Sequence, residues 1–161
     1  MNHSGTFLTT RSTEEVFDLI AGPQNFAPLF PDFESMLIQD ATHFTMRIAM
    51  TVGQISGHVN LAMELREAVP PEHVDYRGHG IVAGSQLTFA MQFQLAASET
   101  ATQVSWQGEV LVEGMLALMA GSTIDELSRR NFELMAERLQ NRLREGTKST
   151  DGIPLDPKPL F

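Results

Sequence analysis

Apolar side chains recur at every second position through most of the stretch from residue 44 to residue 112, and no helix-length segment interrupts it. Phe44, Met46, Ile48, Met50 and Val52 alternate with Thr45, Arg47, Ala49 and Thr51. After Gly53-Gln54 the same alternation runs through Ile55, Gly57, Val59, Leu61, Met63 and Leu65. It returns in Leu87, Phe89, Met91, Phe93 and Leu95, and again, beyond the polar hairpin loop AASETAT, in Val104, Trp106, Gly108, Val110 and Val112. A period of two sends successive side chains to opposite faces of a strand, so each run has one dry face. Parallel strands need a crossover of a dozen or more residues, usually a helix, and the connections here are too short for one. The strands must therefore pair antiparallel, and their common dry face needs a cover.

The cover is written into the C-terminal third. From about Ser122, Ile124, Leu127, Phe132, Met135, Leu139 and Leu143 fall at helical spacing, with Asp125, Glu126, Arg129, Arg130, Glu137, Arg138, Arg142 and Arg144 on the other side. One long helix ending near Gly146 is expected, followed by a Pro-rich tail, 147–161, expected to be extended. At the other end, a short strand over Gly5 to Thr10 precedes a helix whose start is marked by Ser12 and Glu15, the spacing of a capping box. Gly22-Pro23 ends that helix, and QNFAPLFPDF reads as a short helix or packed loop. AVPPEH is a turn, and VDYRGHGIVAGS a Gly-rich strand that bends or turns at Ala83-Gly84. The order, one strand, one or two helices, about six strands and a long helix, defines an α+β architecture with a single domain over residues 1–146.

Charge excludes several roles. With 11 Lys+Arg against 20 Asp+Glu, a net charge of -9 repels phosphate backbones, so nucleic acid is not an expected partner. The absence of cysteine removes disulfides and thiol chemistry. The N-terminus lacks the apolar core of a signal peptide, and the longest apolar run, inside GMLALMAG, is far below the ~20 residues of a spanning helix. A soluble, cytoplasmic chain is expected.

The dry faces contain no Asp, Glu, His, Lys or Arg, so any ligand site between sheet and helix has apolar walls. Its expected lining is Phe44, Met46, Ile48, Met50, Val59, Leu61, Met63, Tyr76, Phe89, Met91, Phe93, Trp106 and Val110 from the strands. Met115, Leu118, Met119, Phe132 and Met135 complete it from the helix and the segment before it. Methionine gives either a soft, reshapable lining or an ordinary core filler. Tyr76 and Trp106 carry the polar handles, which either orient a ligand or bond to the backbone. In GMLALMAG, Gly114 and Gly121 are read as hinges that let Met115, Leu116, Leu118 and Met119 close one end of the cavity, with core packing as the alternative.

Other chemistry has little support. His58 and His79 fall on wet faces and read as surface residues. Gly78, Gly80 and Gly84 fail the spacing and context of a phosphate loop and read as points of close approach. No metal-ligand spacing occurs, no G-x-S-x-G elbow is present, and neither catalytic residue nor cofactor is expected.

The segments STEEVFDLIAGPQNFAPLFP, VGQISGHVNL, GHGIVAGS and VLVEGMLALMAGSTIDELSRRNFELMAERL resemble the START-like superfamily, also called SRPBCC, helix-grip or Bet v 1-like. Within it, residues 4 to about 143 are most similar to the CoxG family, the G subunits of carbon monoxide dehydrogenase. The resemblance implies a curved antiparallel sheet of about seven strands gripping the C-terminal helix around a cavity. It further implies a non-enzymatic accessory protein that binds a lipid or quinone, linked to membrane recruitment or maturation of a molybdenum hydroxylase. Peripheral contact with the inner membrane face would then fall on residues 115–119. The same superfamily keeps a cyclase, dehydratase or hydrolase open, with Tyr76, His79 and Glu109 as acid–base candidates. A third reading, from the sequence itself, is a structural partner subunit that docks through the Pro-rich tail ending in Leu160-Phe161; monomer and homodimer both stay open.

Overall fold

The computed structural model describes residues 2–152, with the side chains of all but Ile55 and residues 146–152. The elements follow in the order β1 (Asn2–Thr9), α1 (Thr13–Ile20), α2 (Pro23–Phe26), a 3-10 turn (Ala27–Leu29), β2 (Phe33–Ile38), β3 (His43–Val52), β4 (Ile55–Val69), β5 (His73–Val82), β6 (Ser85–Ala97), β7 (Thr102–Glu113) and α3 (Met115–Gly152). The strands form one seven-stranded antiparallel sheet ordered β1-β7-β6-β5-β4-β3-β2. Thus β1 lies on one edge, the chain crosses the inner face as α1 and α2, and a meander from β2 returns to pair β7 with β1. This is the α+β, helix-grip arrangement anticipated from the sequence.

The alternating positions are buried as their parity requires, from Phe44, Met46 and Ile48 through Val104, Trp106 and Val112. At α1 the capping box is complete: the Glu15 amide donates to Ser12 Oγ (3.1 Å) and the Ser12 amide to Glu15 Oε1 (3.0 Å). The bond from the Ser12 amide is the main reason that the Glu15 carboxyl titrates below its ordinary range. The QNFAPLFPDF segment folds as α2 and the 3-10 turn, a plug that buries Phe26, Leu29 and Phe30 on the inner face of the sheet. Arg138 of α3 donates from Nη1 to the Phe30 carbonyl (3.1 Å), which ties the plug to the long helix.

Helix α3 presents Ile124, Phe132, Met135, Leu139 and Leu143 to the core, as its periodicity requires. It passes the expected stop near Gly146 and reaches Gly152, so residues 147–152 are helical rather than extended; residues 153–161 of the expected tail lie outside the described residues. An isolated glycine costs a helix only about 1 kcal/mol relative to alanine, too little to end one. The chain turns into α3 at Gly114 (φ 123°), where an added Cβ would also lie 2.9 Å from Ser85 Oγ. The break expected at Gly121 falls instead at Ala120 (φ -141°, ψ 30°), leaving 115–119 as a short leading segment.

Candidate functional site

Two aromatic groups divide the inner face. In the first, Phe26 stacks on Tyr76 (centroids 3.8 Å apart, 6° between planes), and Phe44 and Phe93 meet this pair edge-on. Tyr76 is fully buried, and its hydroxyl donates to the Ile20 carbonyl (2.7 Å), one of the acceptors that the end of α1 leaves without a helical partner. Burial raises the hydroxyl's pKa, so Tyr76 stays neutral and committed to the backbone. In the second group Phe89 and Trp106 stack on Phe132 of α3, and Phe30 tilts against Phe89 (5.0 Å).

Beyond the second group, toward the β3–β4 and β5–β6 turns, the inner face does not close. A pocket of about 90 Å³ lies there between the sheet and the first half of α3. Of the residues expected to line a site, Ile48, Met50, Leu61, Phe89, Val110, Phe132 and Met135 do so. Phe44, Met46, Val59, Met63, Tyr76, Met91 and Phe93 are not on it: they are buried at 2% exposure or less in the packed core. Trp106 packs behind Phe132 rather than in the pocket. Met115, Leu118 and Met119 point to solvent at 64%, 84% and 69% exposure, and Leu116 alone of the leading segment faces inward to the pocket. The reason is helical geometry: Leu116, Ala120 and Ala117 share one sector of about 100° in projection, and the three larger residues fall in the opposite one.

Lining residues absent from the expected set include Phe30 from the plug, Val52, Val82, Leu87 and Val112 at strand ends, and Ile124 and Leu127 of α3, while Leu116 is there as the gate reading expected. The strand-end residues share the parity of the dry faces, which is a readable signal; Phe30 sits in an irregular segment with none. Thr51, Ser128 and Asn131 are the polar residues on the wall, which carries no Asp, Glu, His, Lys or Arg among the described residues. Gly57, opposite Met50 in the β3–β4 pair, adds no side chain, and a Cβ there would meet nothing within 4 Å.

The acid–base candidates do not meet in the pocket. His79 and Glu109 are exposed on the outer face, and Tyr76 is spent on Ile20. His58 is also outside, where its Nδ1 pairs with Glu34 (2.9 Å). At the β1 edge, the His3 ring lies 5.9 Å from that of Phe132 and its Nε2 is 3.6 Å from Asp125 Oδ1 of α3.

Sheet, plug and gripped helix together define the START-like class. A conserved protein from Geobacillus kaustophilus superposes with a TM-score of 0.77 at 14% identity, covering 91% of this chain and 97% of that one. The Zhui aromatase/cyclase from Streptomyces sp. R1128 gives 0.69 at 12% identity (95% and 99% covered). A START superfamily protein from Mycobacterium smegmatis gives 0.63 at 12% (89% and 97%). These identities establish a shared fold and nothing more. No curated protein sequence matches the chain. Residues 5–144 match the model of the carbon monoxide dehydrogenase G subunit (CoxG), and the chain belongs to that family.

Proposed function

We propose that the protein binds one apolar small molecule, of the lipid or quinone class, in the pocket between the sheet and α3. The observation that carries this reading is the uncharged wall that stays unfilled beside the hinged leading segment of α3. Acid–base catalysis has no titratable group on that wall to work with. Thr51, Ser128 and Asn131, rather than Tyr76 and Trp106, are the groups that would orient the polar end of the ligand.

At about 90 Å³ the pocket is smaller than the ~150 Å³ that holds benzene and well below the ~300–1,000 Å³ of typical ligand sites. Binding therefore requires expansion. Met50 and Met135 are unbranched and rearrange at low cost, Leu127 is only partly buried, and Gly114 and Ala120 bracket a segment able to swing. Met115, Leu118 and Met119 form an exposed apolar surface on that segment, suited to a membrane interface from which an apolar ligand is loaded. No helix of the described residues is long and apolar enough to cross a membrane. Peripheral contact at the cytoplasmic face, in the service of a carbon monoxide dehydrogenase-type molybdenum hydroxylase, is the role that family membership favours.

Native mass spectrometry of the protein titrated with decylubiquinone and with palmitate tests the reading. A 1:1 adduct that is lost in Val110→Phe, which fills the pocket, is expected. No adduct with any member of a lipid and quinone panel overturns it.

A further inference from the structure

The outer face of the sheet carries a second constellation, remote from the apolar wall. Inward positions on β4 are odd-numbered (Val59, Leu61, Met63), so unbroken alternation would turn Glu67 inward as well. A register shift between Leu65 and Glu67 makes Arg66 an extra residue, reverses the parity and sets Glu67 opposite Asp75 of β5. His73 stands two residues from Asp75 on the same face of β5, opposite Gln94 of β6. One donor atom from each of Glu67, His73 and Asp75 lies within 4.8 Å of the other two. His73 Nε2 and Glu67 Oε1 are 3.2 Å apart. Tetrahedral zinc with bonds of about 2.0–2.1 Å holds its ligand atoms roughly 3.3 Å apart.

One further feature matches a metal centre, and a second is one side-chain turn away. The side chains of His73 and Asp75 are only 15% and 14% exposed, and both residues sit on a strand rather than a loop. His73 Nδ1 is 2.9 Å from the side-chain amide of Gln94. Gln94 Nε2–H donates to Nδ1; a half-turn of the amide lets Nδ1–H donate to the Gln94 oxygen instead and leaves Nε2 its lone pair, the arrangement that a metal-bound imidazole needs.

We propose that Glu67, His73 and Asp75 bind a divalent transition metal of the zinc class, with a fourth position open to water. One imidazole and two carboxylates favour such an ion over calcium, which takes six to eight oxygens, and magnesium, which keeps an oxygen octahedron. On binding, the ion displaces the Nε2 proton, which passes to Nδ1 as the Gln94 amide turns to accept it. It clips β4 to β5 where the bulge has interrupted their ladder. Arg77, whose Nε is 3.3 Å from Asp75 Oδ1, opposes the ion and has to turn aside.

Calorimetric titration of the tag-free, chelator-stripped full chain with ZnCl2 alone, and the visible spectrum of the Co2+ form, test the site. One equivalent is expected, with the intense visible bands of tetrahedral cobalt. His73→Ala and Glu67→Gln should remove that equivalent while circular dichroism stays unchanged. Gln94→Leu should weaken binding about tenfold or more. Substoichiometric binding, or a stoichiometric equivalent that survives His73→Ala, overturns the proposal.

Discussion

Single residues show how fully this core is specified. The Tyr76 hydroxyl is the polar tip of an otherwise aromatic cluster, and Tyr76→Phe keeps the ring stack with Phe26 while stranding the Ile20 carbonyl. An unsatisfied buried acceptor costs about 1–3 kcal/mol, so chemical denaturation should show a loss in that range with an unchanged slope. Asp40 accepts from the amides of Thr42 (2.8 Å) and His43 (2.7 Å) in the β2–β3 turn, and these bonds, with the His43 imidazole, lower its carboxyl from 3.8 to about 2. A carboxyl depressed on folding stabilises the turn above its ordinary pKa and loses that contribution as pH falls through the folded value. The turn's stabilising contribution is therefore lost between about pH 4 and about pH 2, its amide resonances should titrate with a midpoint at about pH 2, and Asp40→Asn should abolish that step.

Among the elements, the leading segment of α3 separates gate from core most sharply. Leu116 reaches the pocket, and its amide donates to buried Ser85 Oγ (2.9 Å), which fastens the start of the helix to β6. Leu118, two residues on, is 84% exposed. Leu118→Asp should change stability by no more than about 0.5 kcal/mol, yet weaken flotation with zwitterionic vesicles. Leu116→Asp buries an unpaired charge and should cost about 3–5 kcal/mol. A thermal shift in Leu118→Asp as large as the one expected for Leu116→Asp would mean that both residues are plain core. Hydropathy alone could not make this distinction, because six consecutive apolar residues carry no periodicity from which to choose a face. The strands were legible for the opposite reason: a strict period of two leaves one register. The bulge at Arg66 was invisible because the apolar alternation ends at Leu65, and without that bulge Glu67 does not join His73.

For the molecule as a whole, parity gives the face of a residue but not what lies opposite it. Met46, Met63 and Met91 point inward as Met50 does, yet they meet dense packing, whereas Met50 meets open space. What fills one half of the inner face is the plug around Phe26 and Phe30, an irregular Pro-containing segment whose docking depends on contacts with Tyr76, Phe89 and Arg138 far along the chain. The grip of sheet on helix was therefore readable from patterning, and the position of the pocket was not. The methionines now provide the most direct test of the central claim. In methyl-labelled protein titrated with decylubiquinone, the resonances of Met50 and Met135 should shift saturably at one equivalent while those of Met46, Met63 and Met91 stay in place. A titration that leaves Met50 and Met135 unmoved, or that shifts only the packed methionines, would contradict ligand binding between sheet and helix.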